Sequence, residues 1–418
     1  MSSPTDSSYS RAEPAAVLDE VWREHWGRLL GHLVHQLGRP DLVEDALGDA
    51  FADAAAQWPV TGVPDRPVGW LSTVARRRLV DALRREQTAR AKASLLVGRE
   101  AESVPAEFPG AEVDDRLALL FMATHPALAE DARPALALRF VLGVPTADIA
   151  RLFVVPQSTM AARLTRAKRR LATSGIPFAV PDVEVWPERV DDVARSVYLA
   201  FTAGYAPGEG DDVVRAREAG AAVRLAVLAA DLMPDQPVLE ALAALALLQH
   251  ARRDARVTAE GQLMRLADQD RDAWRRDEID AGLARLTRLT PTYGYAEELR
   301  LQALIAAFHD TARRAEDTDW ASIARTYARL EELTGSPIVR LNRAVAVGEV
   351  AGPMAGLAVL RAAGDQLPDH YRVALVRAEL LRRDGHHELA RAAYTEAIAN
   401  CPGGAERQHI IGRLEGLP

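Results

Sequence analysis

Charge in this chain is sorted into blocks, and three of them hold the residues whose types and spacing could act on another molecule. The first, DLVEDALGDAFADAAAQWP, runs from Asp41 to Pro59. Asp41, Asp45, Asp49 and Asp53 are four apart, with Glu44 beside them, so on a helix they drift slowly around one face. Leu42, Ala46, Leu47, Ala50, Phe51 and Ala54 make the apolar face. Alone, such acids read as a solvated helix surface; with a basic partner they make a docking surface. The second block, GWLSTVARRRLVDALRRE from Gly69 to Glu86, sets Arg76, Arg77, Arg78, Arg84 and Arg85 against two acids, Asp81 and Glu86. Like charges at helical spacing repel, and a phosphate backbone is the anion that would relieve them. Trp58 and Trp70 are expected as core aromatics rather than as base-stacking platforms.

The third block, PTADIARLFVVPQSTMAARLTRAKRRL from Pro145 to Leu171, carries the sharpest signal. Thr146 to Phe153 reads as a short helix, Val154-Val155 as a tight connection, and Pro156 as the opening of a second helix. Ile149, Ala150, Val155, Met160 and Leu164 occupy the positions that would seal a helix-turn-helix. Residues 151–171 include Arg151, Arg163, Arg166, Lys168, Arg169 and Arg170 and no acid. A recognition helix presents its N-terminal side chains to base edges and its later cations to phosphates. Gln157, Ser158 and Thr159 are the short polar groups at that end, and Arg163 could reach a guanine edge. Val154 stands where such turns often have Gly.

Signals for catalysis are weak. There is no GxxxxGK[ST] and no GxSxG, and Gly208-Glu209-Gly210 lies in no strand–turn–helix setting. His386-His387-Glu388 lacks the second His of HExxH, and no other His cluster has ligand spacing, so no metal site is expected. His25, His32 and His35 read as ordinary, partly buried histidines. The single cysteine, Cys401, excludes an intramolecular disulfide and a CxxC zinc site.

The elements that must position these blocks are helices. Apolar residues recur at three and four throughout the 418-residue chain, and clean alternation is hard to find, which predicts an all-α protein. Pro and Gly punctuate it. Residues 1–14 read as a disordered tail, 15–86 as a compact helical unit broken at Gly38-Arg39-Pro40 and between Pro59 and Pro67, 87–111 as a linker, 112–174 as a second helical unit, and 175–418 as one long helical region. Apolar residues are 48 % and charged residues 26 % of the chain, ordinary for a globular protein. The first 172 residues balance to zero, so the whole net charge of −8 lies beyond them. No apolar run is long enough to span a membrane and the N-terminus has no secretory h-region, so a cytoplasmic location is expected.

Residues 371–404 read as a helix pair: Ala378 and Leu381 on the first helix, Asp384-Gly385 at the turn, Ala390, Tyr394 and Ala397 on the second, and Pro402 at the end. Small residues at a crossing with one large aromatic opposite suit closely packed antiparallel helices. These residues match the 34-residue tetratricopeptide pattern, and Trp320–Pro337 and Ile338–Leu367 look like degenerate copies. One such unit cannot bury its own apolar face and needs stacked neighbours.

The order of the blocks (acidic helix, arginine helix, linker, helix-turn-helix) resembles that of bacterial extracytoplasmic-function sigma factors, group 4. The C-terminal stretches VYLAFTAGYAPGEGD, DTDWASIARTYARLEELTGSPIVRLNRAVAVGEVAGP and 371–404 resemble the subgroup with a tetratricopeptide-like extension. Met122-Ala123-Thr124-His125-Pro126 departs from the Cys-Cys-His-Pro run frequent in that subgroup, and Thr202-Ala203 from an Asn-Glu pair. The resemblance implies two small domains, sigma regions 2 and 4, followed by an α-helical repeat domain. It implies that Asp41, Glu44, Asp45, Asp49 and Asp53 dock on RNA polymerase core, whose β′ clamp and β flap are the expected contacts. It implies that Arg76, Arg77, Arg78, Arg84 and Arg85, with the loop 60–69, serve the −10 element. Gln157, Ser158, Thr159, Arg163, Arg166, Lys168 and Arg169 would read the −35 element. It implies no catalysis and no cofactor, and a protein or small-molecule regulator at the repeat domain. Two other classes stay open. A helix-turn-helix regulator with a repeat effector domain would not need the acidic helix. A repeat scaffold that binds only protein would not bind DNA.

Overall fold

A computed structural model describes residues 13–93, 115–205, 216–256, 258, 264–364, 366–367, 370–401 and 403–418. The expected tail, most of the expected linker, Gly208–Gly210 and Pro402 lie outside the described residues. Among the described residues there are helices and no strands, and no helix is long and apolar enough to cross a membrane. The chain divides into two compact units, 1–151 with 155–197, and 152–154 with 198–418.

The first unit begins with α1 (Pro14–Leu37), α2 (Pro40–Thr61) and α3 (Pro67–Ala93). Each starts on a proline, whose missing N–H costs nothing at the first helical position. Gly38 and Arg39 both take positive φ between α1 and α2, which makes the corner tight. The break expected at Pro59 comes later. α2 carries Pro59 inside its last turn and ends at Gly62, whose N–H bonds the Trp58 carbonyl, while Thr61 Oγ1 bonds that of Gln57. These caps serve carbonyls that a proline-broken turn would leave bare. α3 continues past Glu86 because QTARAKA contains only helix-compatible residues. Leu47, Phe51 and Trp58 of α2 pack with Trp26 of α1 and Leu71 and Leu79 of α3 in one buried core. Burying each such side chain contributes about 1.5–3 kcal/mol.

α4 (Asp115–Ala123), α5 (Arg133–Leu142), α6 (Thr146–Leu152) and α7 (Gln157–Thr173) follow. Ile149 of α6 and Met160, Leu164 and Ala167 of α7 are buried, as a helix-turn-helix requires. The turn residue Val154 has φ 55°, a left-handed conformation that costs a residue with a Cβ roughly 1–2 kcal/mol. That is the physical reason glycine suits this position. α8 (Trp186–Tyr205) comes next. Its Trp186 ring lies 6.0 Å from Phe121, and Arg189 donates to the Phe121 carbonyl at 2.7 Å.

The second unit is a run of antiparallel helices: α9 (Ala216–Leu232), α10 (Pro237–His250), α11 (Arg276–Leu286), α12 (Gly294–Thr311), α13 (Trp320–Thr334), α14 (Pro337–Ala351), α15 (Pro353–Gly364), α16 (Tyr371–Arg383), α17 (His387–Asn400) and α18 (Gly404–Glu415). α10 is buried at every position except Pro237, Glu240 and Gln249, so apolar side chains pack around nearly its whole circumference. α16 and α17 are the expected pair: Gly385 turns the chain at φ 82°, and Ala378, Ala390, Tyr394 and Ala397 are fully buried between them. Glu379 of α16 ties the end together. Arg413 of α18 grips it with two bonds of 2.7 and 2.8 Å, and the Tyr394 hydroxyl donates at 2.6 Å.

Burial alone would raise the Glu379 carboxyl, but Arg413 and Tyr394 outweigh it and hold it down at about 2. A depressed carboxylate stabilises the fold above its unfolded value, and that contribution is lost as pH falls from about 4.5 towards 2. Glu379→Gln is therefore expected to lower stability at pH 7 by up to roughly 3 kcal/mol and to flatten the acid limb between pH 5 and 2. Urea unfolding across that range measures it; an unchanged acid limb would remove Glu379 as the residue responsible.

Candidate nucleic-acid and polymerase interface

The acidic face of α2 is held almost entirely within the first unit. Asp41 and Glu86 share Arg39, at 2.9 and 2.7 Å. Arg78 of α3 binds Asp53 at 2.5 Å and Asp49 at 3.2 Å. Lys168 of α7 reaches Asp45 at 2.7 Å and Glu44 at 2.9 Å. Arg139 of α5 closes on the other oxygen of Glu44 at 2.7 Å. Each of the five acids assigned to a polymerase surface thus meets a cation of its own chain. Four of them keep side-chain exposure, from 20 % at Asp41 to 65 % at Asp45, but Glu44 is only 3 % exposed. In this conformation the Glu44 side chain faces inward and offers no surface to a partner.

Glu44 has this position because α1 lets α4 and α5 come close. A Cβ on Gly27 would lie 2.3 Å from the Val141 carbonyl, and one on Gly31 would lie 2.6 Å from Asp115 Cβ. The Trp26 indole donates to the Arg139 carbonyl at 3.1 Å, and the Arg139 guanidinium lies over the same ring at 5.3 Å. Arg139 sits in ALALRFVL, an otherwise apolar run, and neither it nor Arg39 is expected from charge blocks. The available signal was a lone cation inside a buried helix, which must find a partner because an unpaired buried charge costs several kcal/mol. Burial pushes the Glu44 carboxyl up, but Arg139 and Lys168 outweigh this and hold it below its ordinary range. Lys168 is likewise held above its ordinary value, its burial outweighed chiefly by Glu44.

The residues assigned to DNA divide in two. Gln157, Ser158 and Thr159 are exposed at the N-terminus of α7, and Arg166 and Arg169 are exposed further along it. Arg163 instead pairs with Asp131 at 3.1 Å, and Lys168 is engaged by α2. On α3, Arg77, Arg84 and Arg85 are exposed and Arg76 is half-buried. Arg84 and Arg85 lie near Asp81, and Arg78 is drawn onto α2. The structure thus brings part of the arginine block and part of the recognition helix onto the acidic block. Trp58 is buried, with the Trp70 ring 5.6 Å away, edge to face. The five residues 62–66 that separate α2 from α3 are fewer than the loop 60–69 expected from sequence.

Residues 21–89 match the sigma-70 region 2 family and residues 118–171 match sigma-70 region 4. The chain is a sigma factor of the sigma-70 kind, with the region 2 and region 4 pair that extracytoplasmic-function-like factors carry. Residues 189–290 match a family of unknown function, DUF6596, so this sigma factor carries an extra C-terminal domain. An uncharacterized protein of Rhizobium meliloti (strain 1021) is 39 % identical over 394 residues, covering 93 % of each chain. No solved structure matches.

Removing one member of a buried ion cluster leaves the others uncompensated, which costs about 3–5 kcal/mol. Glu44→Gln in this sigma factor is expected to fall at the lower end of that range, because Lys168 keeps Asp45. Lys168→Met should cost less than half as much. Chemical unfolding of the two single variants and the double variant gives the coupling; a coupling near zero would mean the cluster does not hold α2 to α7.

Proposed function

We propose that this sigma factor directs RNA polymerase core to its promoters through the charge blocks assigned above. α2 is the docking helix for the β′ clamp, and the region that contains α7 would meet the β flap. The arginines of α3 serve the −10 element and α7 serves the −35 element. The observation that carries this reading is α7 itself, with three short polar side chains exposed at its N-terminus and cations behind them. A helix presented this way suits base edges first and phosphates second. The acidic helix separates this reading from a helix-turn-helix regulator, which has no use for it. The C-terminal unit is the regulatory part in this proposal, in the bacterial cytoplasm.

The conformation described here is a closed one. Elements labelled −10 and −35 are about 25 base pairs apart, roughly 80 Å along B-form DNA at 3.4 Å per base pair. α2 and α7, by contrast, touch through Lys168. Reading both elements at once therefore requires the Glu44–Lys168–Arg139 cluster to part. Parting frees Lys168 for phosphate and Glu44 and Asp45 for the polymerase. One set of charges serves the closed state within the chain and the open state with partners.

Two measurements check this. Asp49→Lys is expected to weaken association with RNA polymerase core at least about tenfold and to leave the exposed polar end of α7 intact; unchanged core binding with run-off transcription intact would remove α2 from the docking surface. Fluorophores on α2 and α7 are expected to show high energy transfer in the free protein and loss of transfer in the promoter complex. Transfer that stays high in a transcribing complex would rule out opening.

A further inference from the structure

The second unit has an open cavity of about 690 Å³ lined by α8, α10, α12, α13, α14 and residues between α10 and α11. That is within the range of small-molecule sites, roughly 300–1,000 Å³. Ile305, Leu330, Ile338 and Val339 give it an apolar side, and Gln249, Arg252, Arg256, Gln269, Gln302 and His309 a polar one.

A buried carboxylate lies behind the polar wall among arginines. Asp310 of α12 is fully buried, and Arg252 stands 3.1 Å from its Oδ1. Arg271 and Arg276 act on the same carboxylate, yet neither carboxylate oxygen accepts an aligned hydrogen bond. Arg271 is itself buried, spends one nitrogen on the His309 and Ala312 carbonyls, and leaves its Nε unpaired. Arg256 and Glu298 also line the wall, and Gln302 donates to Glu298 at 3.3 Å. Arg252, Arg271 and Arg276 thus face Asp310, and Asp317 also acts on Arg271. Burial, together with Arg252 and Arg271, drives His309 down to about 3, so it is neutral and adds no positive charge to the wall. Gln269 Oε1, also on the wall, is buried without a hydrogen-bond partner among the described residues. Arg252 thus meets a buried carboxylate without an aligned bond, and an orphan amide acceptor stands on the same wall; an anion that reaches Arg252 and carries a donor would serve both.

We propose that this cavity binds a small organic anion, its carboxylate or phosphate group on Arg252 and its apolar body against Ile305, Leu330 and Val339. Guanidinium forks suit both head groups, since each offers two oxygens in one plane. The occupant bridges α10 and α12 to α13 and α14, and so would bias how these helices pack. This deepens the regulatory reading of the C-terminal unit and rests on it only for its consequence in transcription.

The test uses the full chain without polymerase. Thermal melts and calorimetry are run with 2-naphthoate, 2-naphthyl phosphate and neutral 2-naphthamide at matched ionic strength. The expected result is a saturable rise in Tm with one or both anions and none with the amide; comparing the two anions identifies the head group. Arg252→Gln should weaken binding at least about tenfold. Arg252 also holds Asp310, so Asn342→Trp, an exposed position on the lining, serves as a second variant that blocks the cavity without touching the ion pair. The proposal is overturned if neither anion binds saturably, if the amide binds as well as the anions, or if both variants bind like the parent. Run-off transcription with and without the bound anion is read separately. An unaffected transcript would sink the regulatory reading and leave the site standing.

Discussion

A single buried carboxylate, Glu44, organises the first unit. It lies on the helix that also packs the core of region 2, and it is held by one cation from each of two helices of region 4. Desolvating a carboxylate costs several kcal/mol, which Arg139 and Lys168 must offset together. That requirement fixes the register of α5 and α7 against α2 far more narrowly than apolar contact would. It also makes the arrangement conditional. Apolar packing is indifferent to an approaching polymerase or DNA, but an ion cluster can exchange internal partners for external ones.

The fold class was legible because helical periodicity persists along the chain and the punctuation is strong. Gly38, Pro40 and Gly385 stand where the chain was expected to break or turn between helices. Pro59 misled because a proline in a last turn forfeits one hydrogen bond while the caps behind it survive. The helix-turn-helix was legible from spacing alone, and Val154 marked its own strain by not being glycine. The charge blocks were legible as blocks, but not as each other's partners. Glu44 lies 95 positions from Arg139 and 124 from Lys168, and nothing in a local pattern encodes such a pairing. The cavity of the second unit was illegible for the same reason, since its wall gathers side chains from Tyr198 to Asn342.

The two units use buried charge differently. In the first, each carboxylate of the acidic helix has a basic partner and the ledger nearly closes within the chain. In the second, Glu331, Glu379 and Glu240 are matched by arginines in the same way, while Asp310 is buried among arginines without an aligned hydrogen bond.

Gly27 and Gly31 place the balance of the first unit under unusually fine control. Both permit contact by lacking a side chain, so the smallest available change, one methyl group, acts as a wedge between regions 2 and 4. In a two-state equilibrium each 1.4 kcal/mol shifts the populations tenfold. If the two regions part as proposed, a glycine-to-alanine change at either position would shift that equilibrium and leave every residue assigned to DNA or polymerase unaltered.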